Sequence, residues 1–328
     1  MTSSFWQEKI TFNGLSVPRF MSAPLDGITT SPLRRLIRDF STEELLFTEM
    51  RHVSQVCNEK DKKSLQFHPS EQPLGFQFSA NATTFLDKAV EMVIERGFVM
   101  INLNAGCPAP AVVKSGSGSA LMADITLLET LIKAFSKAIN GRIPFTLKMR
   151  AGFKRKNALD VAKMAYDNGV VGLIVHPRTQ TEKFGGQPDF ELVKQMKQSL
   201  NVPIIFSGNI NTFADAKRTY ELTGCDGFMI GRALWGAPWK LREITDAAQG
   251  KEFVVDLKTI VAYAIKHLDL NLEFYGPKGF IMLKKQLPEY LSAMPHASAW
   301  RKKLLQSKTE AEMRTILLQL LEGPTCVP

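Results

Sequence analysis

One short stretch of this chain, Asn104-Ala105-Gly106-Cys107-Pro108, sets a cysteine on a glycine-containing loop at the end of an apolar run. The loop continues through Lys114-Ser115-Gly116-Ser117-Gly118-Ser119. A thiol placed there meets whatever ligand the loop approaches. Because a thiol is mostly protonated at neutral pH, it can serve as an acid. A helix-entry turn with an incidental cysteine accounts for the same residues, so Cys107 gains a role only if its surroundings supply one.

Two later turns, Ser207-Gly208-Asn209 and Gly231-Arg232, also close apolar runs. Their backbone N–H groups can approach a phosphate, and Arg232 adds charge, although a surface ion pair is the plainer use of that arginine. Lys148 lies in the run Pro144-Phe145-Thr146-Leu147-Lys148-Met149, where a buried ammonium is costly without an anion. A flavin, whose reduced form carries negative charge near N1 and O2, would pair with it, and so would a barrel carboxylate. His176 sits in Val175-His176-Pro177-Arg178-Thr179. A lone histidine is more often a packed core residue, but these neighbours favour a site.

Such residues need a frame that brings them together. Apolar or β-branched runs at about 18–23, 45–49, 74–78, 99–103, 144–149, 171–175, 203–206 and 226–230 read as strands. Amphipathic stretches such as Phe85 to Arg96, Leu127 to Ile139 and Ala158 to Asn168 lie between them. Eight strand–helix units predict an α/β fold, a (β/α)8 TIM barrel, with Ile10 to Leu15 as a hairpin ahead of it. In that fold chemistry collects at the C-terminal ends of strands. Pro24, Gln77, Asn104, Cys107, Lys148, Arg150, His176, Arg178, Gly208, Asn209, Gly231 and Arg232 all fall there.

The pattern changes after Trp239. Val254, Leu257, Val261, Ile265 and Leu268 share one helical face, and Phe280 to Leu287, Ser298 to Leu305 and Glu310 to Leu321 read as further helices. Ser307-x-x-Glu310 fits a capping box. We therefore expect a barrel over residues 1–242 and a small C-terminal all-helical domain over 243–328.

The formal net charge of +9 favours polyanionic partners such as RNA. No apolar run approaches the roughly 18 residues of a membrane span, and Met1 to Ile10 lacks a signal-peptide core. Cys57, Cys107, Cys225 and Cys326 are far apart with no CxxC pair, which argues against a disulfide framework or a zinc knot. We expect a cytoplasmic monomer without a metal.

Seven motifs now stand in barrel order: Ala23-Pro24-Leu25-Asp26-Gly27-Ile28-Thr29, Gly75-Phe76-Gln77, and Ile101 to Pro108 with Gly118-Ser119-Ala120-Leu121. They continue with Leu147-Lys148-Met149-Arg150, Val175 to Thr179, Gly208-Asn209-Ile210 and Gly231 to Trp239. Over nearly its whole length the sequence resembles the tRNA-dihydrouridine synthases. The resemblance implies that FMN contacts Pro24, Gln77, Lys148, His176, Gly208, Asn209, Gly231 and Arg232. It implies Cys107 as proton donor, Asn104 and Arg178 near the uracil, and NADPH as reductant. The substrate would be tRNA, whose uridine takes hydride at C6 from the flavin and a proton at C5. The uridine must leave the base stack, at a cost of a few kcal/mol that basic contacts to the RNA backbone would offset. The chain departs from the family at Ser207-Gly208-Asn209, where Asn-Gly-Asp is common, and near Ser115, where a charge is usual. Two other readings are an FMN barrel acting on a free pyrimidine, like a dihydroorotate dehydrogenase, and a flavin-free RNA-binding barrel.

Overall fold

The computed structural model describes residues 5–292, 294 and 297–322, so Cys326 and the first four residues of the leader reading lie outside the described residues. Ten strands form: β1 (Ile10–Phe12), β2 (Leu15–Val17), β3 (Phe20–Ser22), β4 (Leu46–His52), β5 (Leu74–Ser79), β6 (Met100–Ala105), β7 (Phe145–Gly152), β8 (Leu173–Thr179), β9 (Ile204–Ser207) and β10 (Gly227–Ile230). β1 and β2 make an antiparallel hairpin, Ile10 opposite Val17. The other eight are ordered β3-β10-β9-β8-β7-β6-β5-β4, with every pair in the sheet parallel. Ser22 bridges the remaining gap: its N–H donates to the Leu45 carbonyl (3.1 Å), and its Oγ accepts from the Phe47 N–H (2.9 Å). The result is the expected (β/α)8 barrel.

Alternation along each strand sorts side chains between two environments. Leu103, Leu147, Val175 and Phe206 point outward and join the helices in the largest hydrophobic cluster. Met21, Phe47, Ile174, Ile205 and Met229 point inward and meet Ile10, Phe12 and Val17 of the hairpin, which plug the floor. Above that floor lies a polar layer. Asn104 Nδ2 donates to Gln77 Oε1 (2.8 Å), Gln77 Nε2 to Asn102 Oδ1 (2.7 Å), and Asn102 Nδ2 to Thr146 Oγ1 (2.9 Å). Higher still come the charged strand ends. β7 and β8 run three or four residues past their predicted limits, because Lys148, Arg150, His176 and Arg178 all take inward positions and never interrupt the outward apolar face.

The chain after the barrel is helical, as expected. Helices Leu257–Tyr275, Lys278–Lys284, Ala297–Gln306 and Glu310–Gln319 surround Val261, Leu268, Leu283, Leu304, Met313 and Leu317, and Trp239 joins this cluster from the barrel side. Leu241 and Ile244 of the intervening helix, Lys240–Ala248, pack into the barrel cluster instead. Two local expectations are corrected. Val254 is 75% exposed and precedes the Asp256 cap, so it does not belong to the helical face. The last helix is capped by Thr309, whose side chain accepts from the Glu312 N–H, while Ser307 Oγ turns back to the Leu304 carbonyl. Both registers fit the capping pattern, and burial of Ser307 selects the later one. No helix among the described residues is long and apolar enough to cross a membrane.

The loop between β3 and the helix Ser31–Arg38 is braced from below. Arg34 Nε contacts Glu71 (2.7 Å), and Arg34 Nη1 donates to the Thr29 carbonyl (2.6 Å). Glu71 also accepts from Ser31 Oγ and the His68 N–H. Both side chains are almost wholly buried, 4% and 0% exposed. Removing one partner of a buried pair leaves the other charge uncompensated. We expect Glu71→Ala to lose about 3–5 kcal/mol of stability in urea unfolding; a loss within experimental error would show that the pair does not brace the loop.

Candidate active site

At the C-terminal ends of the barrel strands lies a cavity of about 270 Å³. Pro24 follows β3, Asn104 and Cys107 stand at the end of β6, and Lys148 lies on β7. His176 comes from β8, Gly208 and Asn209 from the turn after β9, and Gly231 and Arg232 from the turn after β10. Nine of the eleven residues expected from sequence thus line one cavity. Gln77 and Arg178 stand behind it. Gln77 is fully buried beneath Asn104, and Arg178 is 1% exposed, its Nη1 donating to His176 Nε2 at 3.2 Å.

The cysteine loop is shaped by Asn104. Its Oδ1 accepts from the N–H groups of Gly106 (3.0 Å) and Cys107 (2.8 Å), while its amide nitrogen is tied down to Gln77. The second half of the loop folds back, and the Ser119 N–H donates to the Cys107 carbonyl (3.0 Å). Gly118 makes this return possible. Its φ is +60°, and a Cβ there would lie 2.9 Å from the Cys107 carbonyl oxygen and 3.1 Å from the Cys107 Cβ. Cys107 itself stays half-buried at the cavity wall.

Cations crowd the same space. Among the described residues, none of Lys148, Arg150, Arg178 and Arg232 forms an ion pair with a carboxylate. The barrel carboxylate that would have made Lys148 a structural residue is therefore missing. Desolvation, reinforced by Arg150, pushes the Lys148 ammonium down to about 8. Desolvation and then Arg150, Lys148, Arg178 and Arg232 push His176 down to about 2, so its ring is neutral at any physiological pH. Arginine can only donate, so His176 Nε2 is the acceptor and the proton sits on Nδ1. Gly208 lies against this ring. Its φ is +133°, and a Cβ would come within 2.8 Å of His176 Cδ2.

Sequence reasoning left two residues without a role. Arg150 fastens the site from behind: Nε donates to the Gly106 carbonyl (2.7 Å), and Nη1 donates to the carbonyls of Thr179 (2.9 Å) and Lys183 (2.8 Å). Its place two residues after Lys148 in β7 was the available signal, since the two share a face. Phe184 is exposed at the mouth, its ring 4.9 Å from the Arg232 guanidinium and 6.1 Å from the His176 ring. It lies in an irregular loop where no periodicity marks it.

An eight-stranded α/β barrel with a loop-held thiol, a neutral imidazole and unpaired cations at its strand ends is a TIM-barrel enzyme with a cavity suited to an anionic ligand. The family model for dihydrouridine synthase matches residues 21–323. The chain is 31% identical over 290 residues to tRNA-dihydrouridine synthase B of Pseudomonas aeruginosa, which covers 86% of each chain. It is 33% identical over 283 residues to a probable tRNA-dihydrouridine synthase of Helicobacter pylori, covering 85% of this chain and 84% of that one. Among solved structures, an old yellow enzyme homologue from Zymomonas mobilis superposes with a TM-score of 0.57 at 14% identity, covering 78% of this chain and 96% of the other. The chain belongs to the dihydrouridine synthase family, and with it to the oxidoreductases.

Lys148 gives a prediction with two opposite signs. Folding lowers its affinity for a proton from the ordinary lysine value of 10.5 to about 8, so the unfolded chain holds the extra proton between those limits. Stability of the ligand-free protein should therefore rise with pH across that window. Lys148→Met should abolish that rise and increase Tm at pH 7, while weakening the binding of FMN. Calorimetry across pH and a flavin fluorescence titration read the two effects. A lower Tm together with unchanged FMN affinity would remove Lys148 from the site.

Proposed function

We propose that this chain is an FMN-dependent tRNA-dihydrouridine synthase that reduces the C5=C6 bond of uridine, with NADPH as reductant and Cys107 as proton donor. The observation that carries the proposal is the meeting of the Asn104-held Cys107 with a cluster of unpaired cations at one cavity. The residues fit FMN. Gly208 and Gly231 have backbone close to the cavity with no side chain in the way, and Arg232, bonded to Asn209 Oδ1 (3.3 Å), brings charge to the same turns. These groups and Asn209 would hold the phosphate end, as loops after the last two barrel strands commonly do. Lys148 and neutral His176 would face the ring system, with Pro24 closing the opposite wall. Gln77 and Arg178 would act through Asn104 and His176.

The chemistry that FMN would supply in this cavity is hydride delivery to C6 of the uracil, with NADPH as the source of the electrons. Everything else falls to the chain. Lys148 would offset the negative charge of the reduced flavin, a task for preset charges in a low-dielectric site, and Arg150 would hold the loops around it. Cys107 delivers the proton to C5, and Asn104 keeps the thiol in reach by holding two loop amides. Phe184 offers an apolar face at the mouth to a base drawn out of its stack.

The C-terminal helices would serve RNA docking and form a domain of their own. Part of their basic charge is already engaged: Arg301 pairs with Glu289 (2.6 Å), Lys303 lies over Trp300 (4.5 Å), and Lys284 Nζ donates to the Ser307 carbonyl (2.5 Å). Lys285 and Lys302 remain exposed and carry the docking proposal. Changing both to Glu should raise the KM for tRNA and flatten its salt dependence, with FMN content unchanged. Wild-type affinity and salt slope would move docking elsewhere.

The purified protein should carry about one FMN per chain and form dihydrouridine in tRNA when given NADPH. In Cys107→Ala, FMN binding and its reduction should persist while product formation falls about 10²- to 10⁴-fold. Mass spectrometry of digested tRNA measures this. Near-normal product from the alanine variant would end the assignment of Cys107 as acid.

A further inference from the structure

We propose that Gln286, in the helical region, is a positioning residue that holds the cavity loop Pro24–Thr29 in its working conformation. Its Nε2 donates to the Gly27 carbonyl (2.6 Å) across a separation of 259 residues. The same glycine is held from the other side, where its N–H donates to Glu49 Oε1 (2.8 Å) in the middle of β4. Glu49 is fixed in turn by Arg51 (2.8 Å), which also reaches Asp26 (2.9 Å). Gly27 is therefore clamped between barrel and helical region, one partner for each of its backbone polar groups.

The clamped segment forms part of the cavity itself. Pro24, Leu25, Asp26 and Ile28 line it, beside the turn that carries Gly231 and Arg232, since β3 pairs with β10. Inside the loop, Thr29 Oγ1 accepts from the Leu25 N–H (2.8 Å), so displacement at Gly27 passes along a short, bonded turn to the wall. Gln286 is only 6% exposed, and its Oε1 is buried without a hydrogen-bond partner. A buried amide with one satisfied and one unsatisfied end is a poor way to gain stability. Its satisfied end reaches Gly27, between the cavity-lining residues Asp26 and Ile28. The helical region thereby completes the active site, and its seating on the barrel is transmitted to the reacting groups.

This inference rests on the reading of the cavity as the FMN and uracil site, but its first test does not. Gln286→Met keeps the volume and removes the donor together with the unpaired acceptor, so the fold should persist. Gln286→Asn, one methylene shorter, serves as a second variant that keeps an amide but cannot reach. Hydrogen exchange of the full chain, read on peptides spanning residues 23–30, should quicken about three- to tenfold in both variants, with the barrel strands unaffected. In the FMN-loaded enzyme kcat should fall about threefold or more at an unchanged KM for tRNA, since misplacement costs rate and not docking. Exchange or kcat at wild-type values overturns the inference. Faster exchange with no dihydrouridine from the wild type would support the clamp and overturn the proposed function.

Discussion

Everything at the mouth of this barrel rests on a chain of amide hydrogen bonds inside it. Thr146, Asn102, Gln77 and Asn104 come from three adjacent strands, and each of the first three accepts a hydrogen bond from the next. Buried polar groups are tolerable only when satisfied, and a half-satisfied network is worse than an apolar core. The chain solves a transition problem: the floor of the barrel is hydrocarbon, and its ceiling is charged. The amides lie between, at the depth where neither a leucine nor a lysine would be stable. Their last member, Asn104, turns this internal order outward by shaping the cysteine loop.

The ceiling itself is destabilised. Among the described residues, a lysine and three arginines gather with no carboxylate in ion-pair contact, and burial, reinforced by their charge, keeps a histidine neutral. Such an arrangement lowers the stability of the ligand-free protein, as strained or frustrated features at functional sites generally do. The cost is recovered when an anion enters. For Lys148, selection for ligand and selection for stability therefore act in opposite directions, whereas the amide layer below satisfies both.

Much of this was legible in the sequence. Alternation of apolar runs and amphipathic stretches was enough for the barrel, because each strand reads as a short apolar run and most are followed by a helix-like stretch. The close of each apolar run marked a strand end, and the family resemblance singled out residues there, nine of which line the cavity. Depth was not legible. Gln77 and Arg178 sit on the right strands but one layer back, and the sequence carries no coordinate along the barrel radius. Phe184 belongs to a loop whose role is set by shape. Gln286 meets Gly27 only because two distant segments pack together, which no local pattern records. The capping residue was misplaced by two positions because Ser307 and Thr309 both fit the pattern and only tertiary burial decides between them.

The pairing of β3 with β10 has a consequence for how the chain is made. Phe20 stands beside Phe228, so the first barrel strand finds its ladder partner only after more than two hundred further residues have been added. At a synthesis rate of about 5–20 residues per second, that interval is roughly 10–40 s. Ile10, Phe12, Val17 and Phe20 are thus synthesised well before their neighbours Ile205, Phe228 and Met229. The segment that ends as the sealed floor of the barrel begins as its longest-exposed apolar surface. For the nascent chain, shielding that surface is a condition for finishing the fold.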